Sequence, residues 1–234
     1  MEKSSLGNRM KSYENVSKIA LTPRMPMIIR CDGKAFHSYT KGFTRPFDQS
    51  IQSAMTQAAK GLMENIQGAK LAYIQSDEIS ILVNDYENFE TQAWFGKELQ
   101  KIVSVSASIA TAYFNKYMMD EKIVISKLAM FDSRAFVIPR EEACNYFVWR
   151  QQDAERNSVS SLAQAHFSHR MLQGKSCKEM KKMLLDEKSI DWEQIPTINK
   201  RGWCVLVNGS TDLEIPRFQE NREYIDVLLE QVEE

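Results

Sequence analysis

Apolar positions follow two different periods along this chain, and the order in which the periods alternate implies a fold. The stretch MPMIIRCDG at 25–33 is a short apolar run with Pro26 only at its start, which predicts a buried strand. A polar, glycine-containing loop, HSYTKGFTRP, comes next. Across 47–66, Phe47, Ile51, Met55, Ala58, Leu62 and Ile66 recur at helical spacing on one face, and Gly68 marks the stop. AKLAYIQSD and EISILVN, at 69–84, read as two short strands with a tight join at Ser76, Asp77 and Glu78. A second long helix is predicted over roughly 91–118, where the small residues of SVSASIATA permit close packing. KLAMFDSRAFVIP then predicts one or two strands ending at Pro139.

That order, β-α-β-β-α-β, is the ferredoxin-like or polymerase-palm arrangement of the α/β (α+β) class. In it the first three strands share one sheet with both helices behind it. The end of strand one and the turn between strands two and three fall at the same edge. Asp32 and Asp77, far apart in sequence, are therefore expected to meet in space. After 140 the pattern is mostly helical, with one further strand at RGWCVLV (201–207) and an acidic helix from about 218. The expected organisation is a palm-like catalytic part over 1–139, carrying an N-terminal helix, and an elaboration over 140–234 packed on it as one unit.

The 234 residues are 43% hydrophobic and 26% charged, which suits a globular chain with a large core. Cys31, Cys144, Cys177 and Cys204 form no CxxC pair, so they read as reduced thiols rather than a zinc ribbon or a disulfide framework. The start is polar and has no apolar h-region. No apolar run approaches the roughly 18 residues that span a bilayer. A cytoplasmic location is expected. Net charge is −1, but it is unevenly spread: residues 1–45 hold nine Lys/Arg against three acids, and 211–234 hold eight acids against two arginines. The basic front end fits either a phosphate-facing surface or a plain solvated one.

Phosphoryl and nucleotidyl transfer need phosphates held in line and their charge neutralised, usually by two divalent ions. Magnesium takes oxygen ligands, often only one or two carboxylates with substrate phosphates completing the set. An aspartate at the end of a buried strand, followed by glycine, suits this, because Gly33 lets a backbone carbonyl approach an ion. Asp77 supplies the second carboxylate. Each motif alone also fits an ordinary turn, and the pair by itself leaves polymerases and cyclases equal.

Several blocks narrow this. R-C-D-G-K-A-F-H at 30–37, F-x-x-P-x-D at 43–48, Q-S-D-E at 75–78, F-D-S-R at 131–134 and W-R-Q-Q-D at 149–153 occur in one order. In order and spacing they resemble the tRNA-His guanylyltransferase family, over roughly residues 20–210. The resemblance implies a palm enzyme that adds nucleotides to the 5′ end of a tRNA. It implies that ATP activates a 5′-monophosphate, and that the 3′-hydroxyl of an incoming GTP or other nucleotide then attacks and releases AMP. It also implies two Mg2+ ions and a homotetramer.

Residue by residue, the resemblance makes Asp32, the Gly33 carbonyl and Asp77 the metal ligands. Lys34, Ala35, Phe36 and His37 match its nucleotide-contacting run, beside Ser76. Glu78 is held as a supporting catalytic residue. Arg45, Lys97 and Lys101 resemble basic residues near phosphates, and Lys97 and Lys101 are four apart on the predicted helix. Arg134, Arg150, Asp153 and Asn157 are further site candidates, while Trp149 reads as core. His166 and His169 lack a third ligand and read as surface or packing residues.

One block departs. Members dedicated to tRNA-His carry H-I-N-N-L-Y-N after the W-R-Q-x-D block; here 155–161 reads E-R-N-S-V-S-S, and only Asn157 matches. The chain is therefore similar to the family's "like" members, which favour template-directed repair of 5′-truncated tRNAs. A dedicated enzyme adding one G to tRNA-His, or a cyclase-like palm enzyme, is the alternative.

Overall fold

The computed structural model describes residues 5–230. In chain order it contains α1 (Ser5–Val16), β1 (Met27–Gly33), α2 (Phe36–Tyr39), α3 (Gln49–Asn65), β2 (Ala69–Gln75), β3 (Glu78–Val83), α4 (Leu99–Asp120) and β4 (Phe131–Val137). It continues with α5 (Arg140–His166), α6 (His169–Leu172), α7 (Cys177–Lys188), α8 (Thr197–Arg201), β5 (Trp203–Leu206), β6 (Thr211–Asp212) and α9 (Glu223–Asp226). The strands form one antiparallel sheet in the order β4-β1-β3-β2-β5-β6. The expected β-α-β-β-α-β core is present, with β5 and β6 added beyond β2.

Strand residues alternate between the two faces, and each face has its own core. Ile29, Cys31, Ile79 and Ile81 pack with Met55, Ala58 and Leu62 of α3 and with Ile102, Ala110 and Phe114 of α4. On the other face, Ile28, Leu71, Tyr73 and Leu82 pack with Ala143, Cys144 and Phe147 of α5 and with Phe218, Ile225 and Leu229. A smaller cluster joins Val159 and Leu162 of α5 to Leu184 of α7 and Trp192. All six residues of β3 are buried. Covered on both faces, that strand reads as an almost unbroken apolar run. Its one interior polar residue, Ser80, hydrogen-bonds the Tyr146 hydroxyl at 2.8 Å.

Three boundaries differ from the sequence pattern. The helix expected over 47–66 begins at Gln49, because Asp48 caps it by accepting from the Ser50 and Ile51 N–H groups. Phe47 is left outside the helix and packs in the smaller cluster. The helix expected over 91–118 begins at Leu99, because Phe95, Gly96 and Lys97 all take left-handed backbone angles (φ 51°, 57° and 60°) that end any helical run. The acidic helix expected from 218 shrinks to α9 and a 3-10 turn at Val227–Leu229. The chain before it bonds to α5 instead of to itself: the Phe218 N–H donates to the Gln151 side chain, and Gln151 Nε2 donates to the Pro216 carbonyl. Residues 231–234 of the expected helix lie outside the described residues.

The second boundary changes the reading of Lys97. It does not sit on α4 with Lys101. It is buried, and its ammonium donates to the Thr22 and Met25 carbonyls and to Asp85 at 2.9, 2.8 and 3.0 Å. All three of its protons are thereby taken, which leaves none for a phosphate. Lys101 is exposed and pairs with Glu98 at 3.7 Å. Removing one partner of a buried pair strands the other charge. Lys97→Ala is therefore expected to lower the unfolding free energy by about 3–5 kcal/mol in a urea titration, while Lys101→Ala stays within about 0.5 kcal/mol of the parent chain. Equal effects would contradict this division.

Candidate active site

The register across β4, β1, β3 and β2 builds the site in rows on the face that α5 covers. Directly paired residues point to the same side of a sheet. Phe136, Ile28, Leu82 and Leu71 make an apolar row. Next come Arg134, Arg30, Ser80 and Tyr73, and at the edge Asp132, Asp32, Glu78 and Gln75. Three carboxylates thus stand side by side where the sheet meets solvent. Asp77 joins them from the β2–β3 turn, which Ser76 closes with a left-handed φ of 52°. The Gly33 N–H donates to the Asp77 carbonyl at 3.0 Å, so the two halves of the site are tied through backbone. A Cβ on Gly33 would come within 2.2 Å of the Phe36 ring, so only glycine lets the ring close under this edge.

Burial, and then the neighbouring Glu78 and Asp132, raise Asp32 above the usual carboxylate range. Burial, and then the Asp32 charge, raise Asp77 despite hydrogen bonds that favour its ionised form. Glu78 is neutralised differently. Arg150 of α5 donates Nε and Nη2 to its two carboxylate oxygens, both at 2.8 Å, and Arg150 also reaches Asp153 at 3.1 Å. Asp153 in turn accepts from Arg156 and Asn157. Arg150 and Asp153 are therefore bound to Glu78 and to α5 itself.

Beside Asp77 opens a cavity of about 460 Å3. Phe36, His37, Arg45, Ser76, Asp77 and Asn157 line it, which joins six of the residues singled out in the sequence. Lys34 and Ala35 are exposed at the turn into α2, next to this wall. Lys101 and Arg134 are exposed and do not line the cavity, and Lys97 is the buried ion-pair partner of Asp85. His166 ends α5 and His169 begins α6, both exposed. The sequence reading missed Asn199, Lys200 and Trp203, which close the cavity from the C-terminal part. No local motif marks them, because their role depends on β5 joining the sheet beside β2. It also missed Asp132, although its alternation with Arg134 in one strand carried the signal. The Cys31 thiol, on the opposite face, is pushed up to about 12 by burial and is inert.

The profile of the family described as tRNAHis guanylyltransferase matches residues 7–139, more than half of the chain. The chain belongs to the tRNA(His) guanylyltransferase family. It is therefore a nucleotidyltransferase. A bacterial tRNA(His) guanylyltransferase-like protein in complex with ATP superposes with a TM-score of 0.93 at 50% identity, over 96% of this chain and 99% of that one. A second bacterial structure, in complex with GTP, gives 0.82 at 45% identity over the same shares. A probable tRNA(His) guanylyltransferase of Drosophila melanogaster is 25% identical over 210 residues, 84% of this chain and 71% of its own length. Among the described residues, no three His, Cys, Asp or Glu side chains are placed to hold a metal ion unaided, and no helix is long and apolar enough to cross a membrane.

The crowding of charge in this family member has a measurable consequence. A carboxyl whose folded pKa is raised binds its proton more tightly when folded. Its favourable contribution is present below the ordinary carboxylate pKa and is lost as pH rises through the folded value. At pH 7 the ionised pair therefore opposes folding. Asp32→Asn is expected to raise the Tm of the metal-free protein at pH 7 in differential scanning fluorimetry, with the gain shrinking as pH falls through the carboxylate range. An unchanged or lower Tm at pH 7 would show that repulsion is not stored there.

Proposed function

We propose that this chain is a magnesium-dependent, template-directed 3′-to-5′ nucleotidyltransferase that repairs the 5′ ends of truncated tRNAs. The observation that carries the proposal is the pairing of Asp32 and Asp77 at one sheet edge, beside a cavity large enough for a nucleotide. Relatives at 50% and 45% identity have been solved with ATP and with GTP, which supports nucleotides as the cavity's occupants.

The donor set fits magnesium. It offers only oxygens, two carboxylates and the Gly33 carbonyl, and a cation there relieves the repulsion that raises both aspartates. When bound, two such ions neutralise phosphate charge and polarise the attacking hydroxyl. The protein's own part is positioning. His37 and Arg45 meet the triphosphate from the cavity wall, and Phe36 packs beneath Gly33. Arg150 keeps Glu78 turned toward α5, so that its charge is compensated beside Asp32. In the proposed sequence a 5′-monophosphate displaces pyrophosphate from ATP to give an adenylylated end. The 3′-hydroxyl of the incoming nucleotide then displaces AMP and leaves the chain one nucleotide longer.

The divergent stretch at 155–161 supports repair over dedicated tRNA-His maturation. Ser158 donates to the Asn199 carbonyl and accepts from Trp192, and Glu155 pairs with Arg217, so these positions hold α8 and the C-terminal segment in place. The same proposal includes tRNA as partner, a homotetrameric assembly, a cytoplasmic location, and a palm over 1–139 with its elaboration over 140–234.

With a set of tRNAs each lacking one 5′ nucleotide, labelled nucleoside triphosphates and magnesium, the expected result is incorporation opposite each template base. Incorporation should stop with EDTA and fall at least about 100-fold with Asp77→Ala, the order expected when groups that stabilise transferring phosphate are lost. Addition of a single G to tRNA-His alone would replace repair with maturation. Cyclic products from free nucleotides without RNA would replace both.

A further inference from the structure

A reaction that joins two substrates needs two approaches to one pair of carboxylates. The cavity beside Asp77 accounts for one. It is walled by Asn157 of α5, by α8 and by the loop before α3, and is sized for a single nucleotide. The opposite flank of Asp32 is built differently. There β4 is the edge strand of the sheet, and its Asp132 and Arg134 are exposed on the face that carries α5. Both side chains are open to solvent on this side.

Trp149 lies next to Tyr146 of α5, whose ring packs on Phe136 of β4, and it does not behave as a core residue. It is 49% exposed, whereas the other three tryptophans are at most 6% exposed. Its ring is nevertheless held in place. The Arg150 guanidinium lies 4.5 Å from the ring centroid, and the Tyr146 ring meets it at 5.9 Å in an edge-on contact. Tyr146 is fixed in turn by Ser80 of β3 and Phe136 of β4. Arg150 is fixed by Glu78, directly opposite Asp32. A large aromatic surface is thus presented to solvent at little further entropic cost, tied through Tyr146 and Arg150 to the strand that carries Glu78.

The charges nearby match a nucleic-acid strand. Arg30 and Arg134 share the row immediately behind Asp32. Arg134 is half-exposed and, among the described residues, its one hydrogen-bonded partner is Asp132 at 3.2 Å. Among the described residues the buried Nε of Arg30 has no hydrogen-bond partner, only a long ionic contact to Glu78 at 3.9 Å, so Arg30 adds positive charge behind the edge rather than a donor to solvent. An aromatic face near an exposed arginine with donors to spare, here Arg134, is the pairing that holds unstacked RNA bases and their phosphates.

We propose that the open face of Trp149 stacks a nucleobase at the 5′ end of the RNA substrate, with Arg134 directed at the adjoining phosphate. This rests on the reading that the chain acts on RNA. Trp149 is a positioning residue in this account: it seats the RNA end opposite the nucleotide cavity, and it does not contact the incoming triphosphate.

The test compares Trp149→Ala and Trp149→Phe with the parent protein, using a 5′-truncated tRNA and GTP as separate titrants. Loss of the stacking face is expected to weaken tRNA binding by about 5- to 150-fold in Trp149→Ala. The KM for GTP should stay unchanged, and Trp149→Phe should recover most of the affinity. Titration with the tRNA should quench tryptophan fluorescence in the parent protein and much less in Trp149→Phe, since the remaining tryptophans are buried. Unchanged tRNA affinity in a folded Trp149→Ala protein overturns the proposal while leaving the repair reading intact. Equal loss of tRNA and GTP affinity, or no recovery with phenylalanine, also overturns it, by assigning Trp149 a structural role. tRNA binding that depends on Trp149, in a parent protein that incorporates nothing, supports the platform and overturns the repair reading.

Discussion

Glu78 and Arg150 are two charges that would each be costly to bury alone, and here they are buried together, with side chains 9% and 8% exposed. Their two 2.8 Å hydrogen bonds join β3 to α5 at a point where the sheet's packing changes from apolar to charged. Such a pair adds little net stability compared with a hydrophobic contact, but breaking it is expensive. Its effect is to fix one arrangement. A shift of α5 by one turn would leave Glu78 unpaired beside Asp32. With α5 held in this register, its later half walls the cavity beside Asp77 and Trp149 stays exposed next to Arg150.

The acidic edge is a functional cost carried by a stable scaffold. Like charges on directly paired strand positions repel, and burial intensifies the effect at Asp32 and Asp77. The sheet can hold them because β3 is covered on both faces by separate cores. The strain is therefore local, and the proposed cation with its phosphates would relieve it. One feature thus opposes folding in the empty protein and, under the proposed function, would favour ligand in the working one.

Much of this was legible in the chain because the determinants are local or periodic. The apolar strands, the spacing of Met55, Ala58 and Leu62, and the Asp-Gly and Ser-Asp-Glu turns are enough to place Asp32 and Asp77 at one edge once the β-α-β-β-α-β order is recognised. What escaped the reading depends on contacts between distant segments. Lys97 looked like a helical neighbour of Lys101 because spacing does not reveal the left-handed run at 95–97 that precedes α4. Trp149 read as core because exposure of an aromatic depends on where the edge strand ends. Asn199, Lys200 and Trp203 carry no motif, and they reach the cavity only because β5 pairs with β2. The C-terminal segment looked helical from its charge, but its backbone groups are bonded by Gln151.

The central claim is that Asp32 and Asp77 together hold the metal ions that receive a nucleotide's phosphates. A crystal structure with manganese and a non-hydrolysable GTP analogue tests it most directly, through the anomalous signal of the ion. Anomalous peaks are expected between the Asp32 and Asp77 carboxylates and the Gly33 carbonyl, with the triphosphate beside them and the nucleoside in the adjoining cavity. A nucleotide bound in that cavity with no ion at the two aspartates would contradict it.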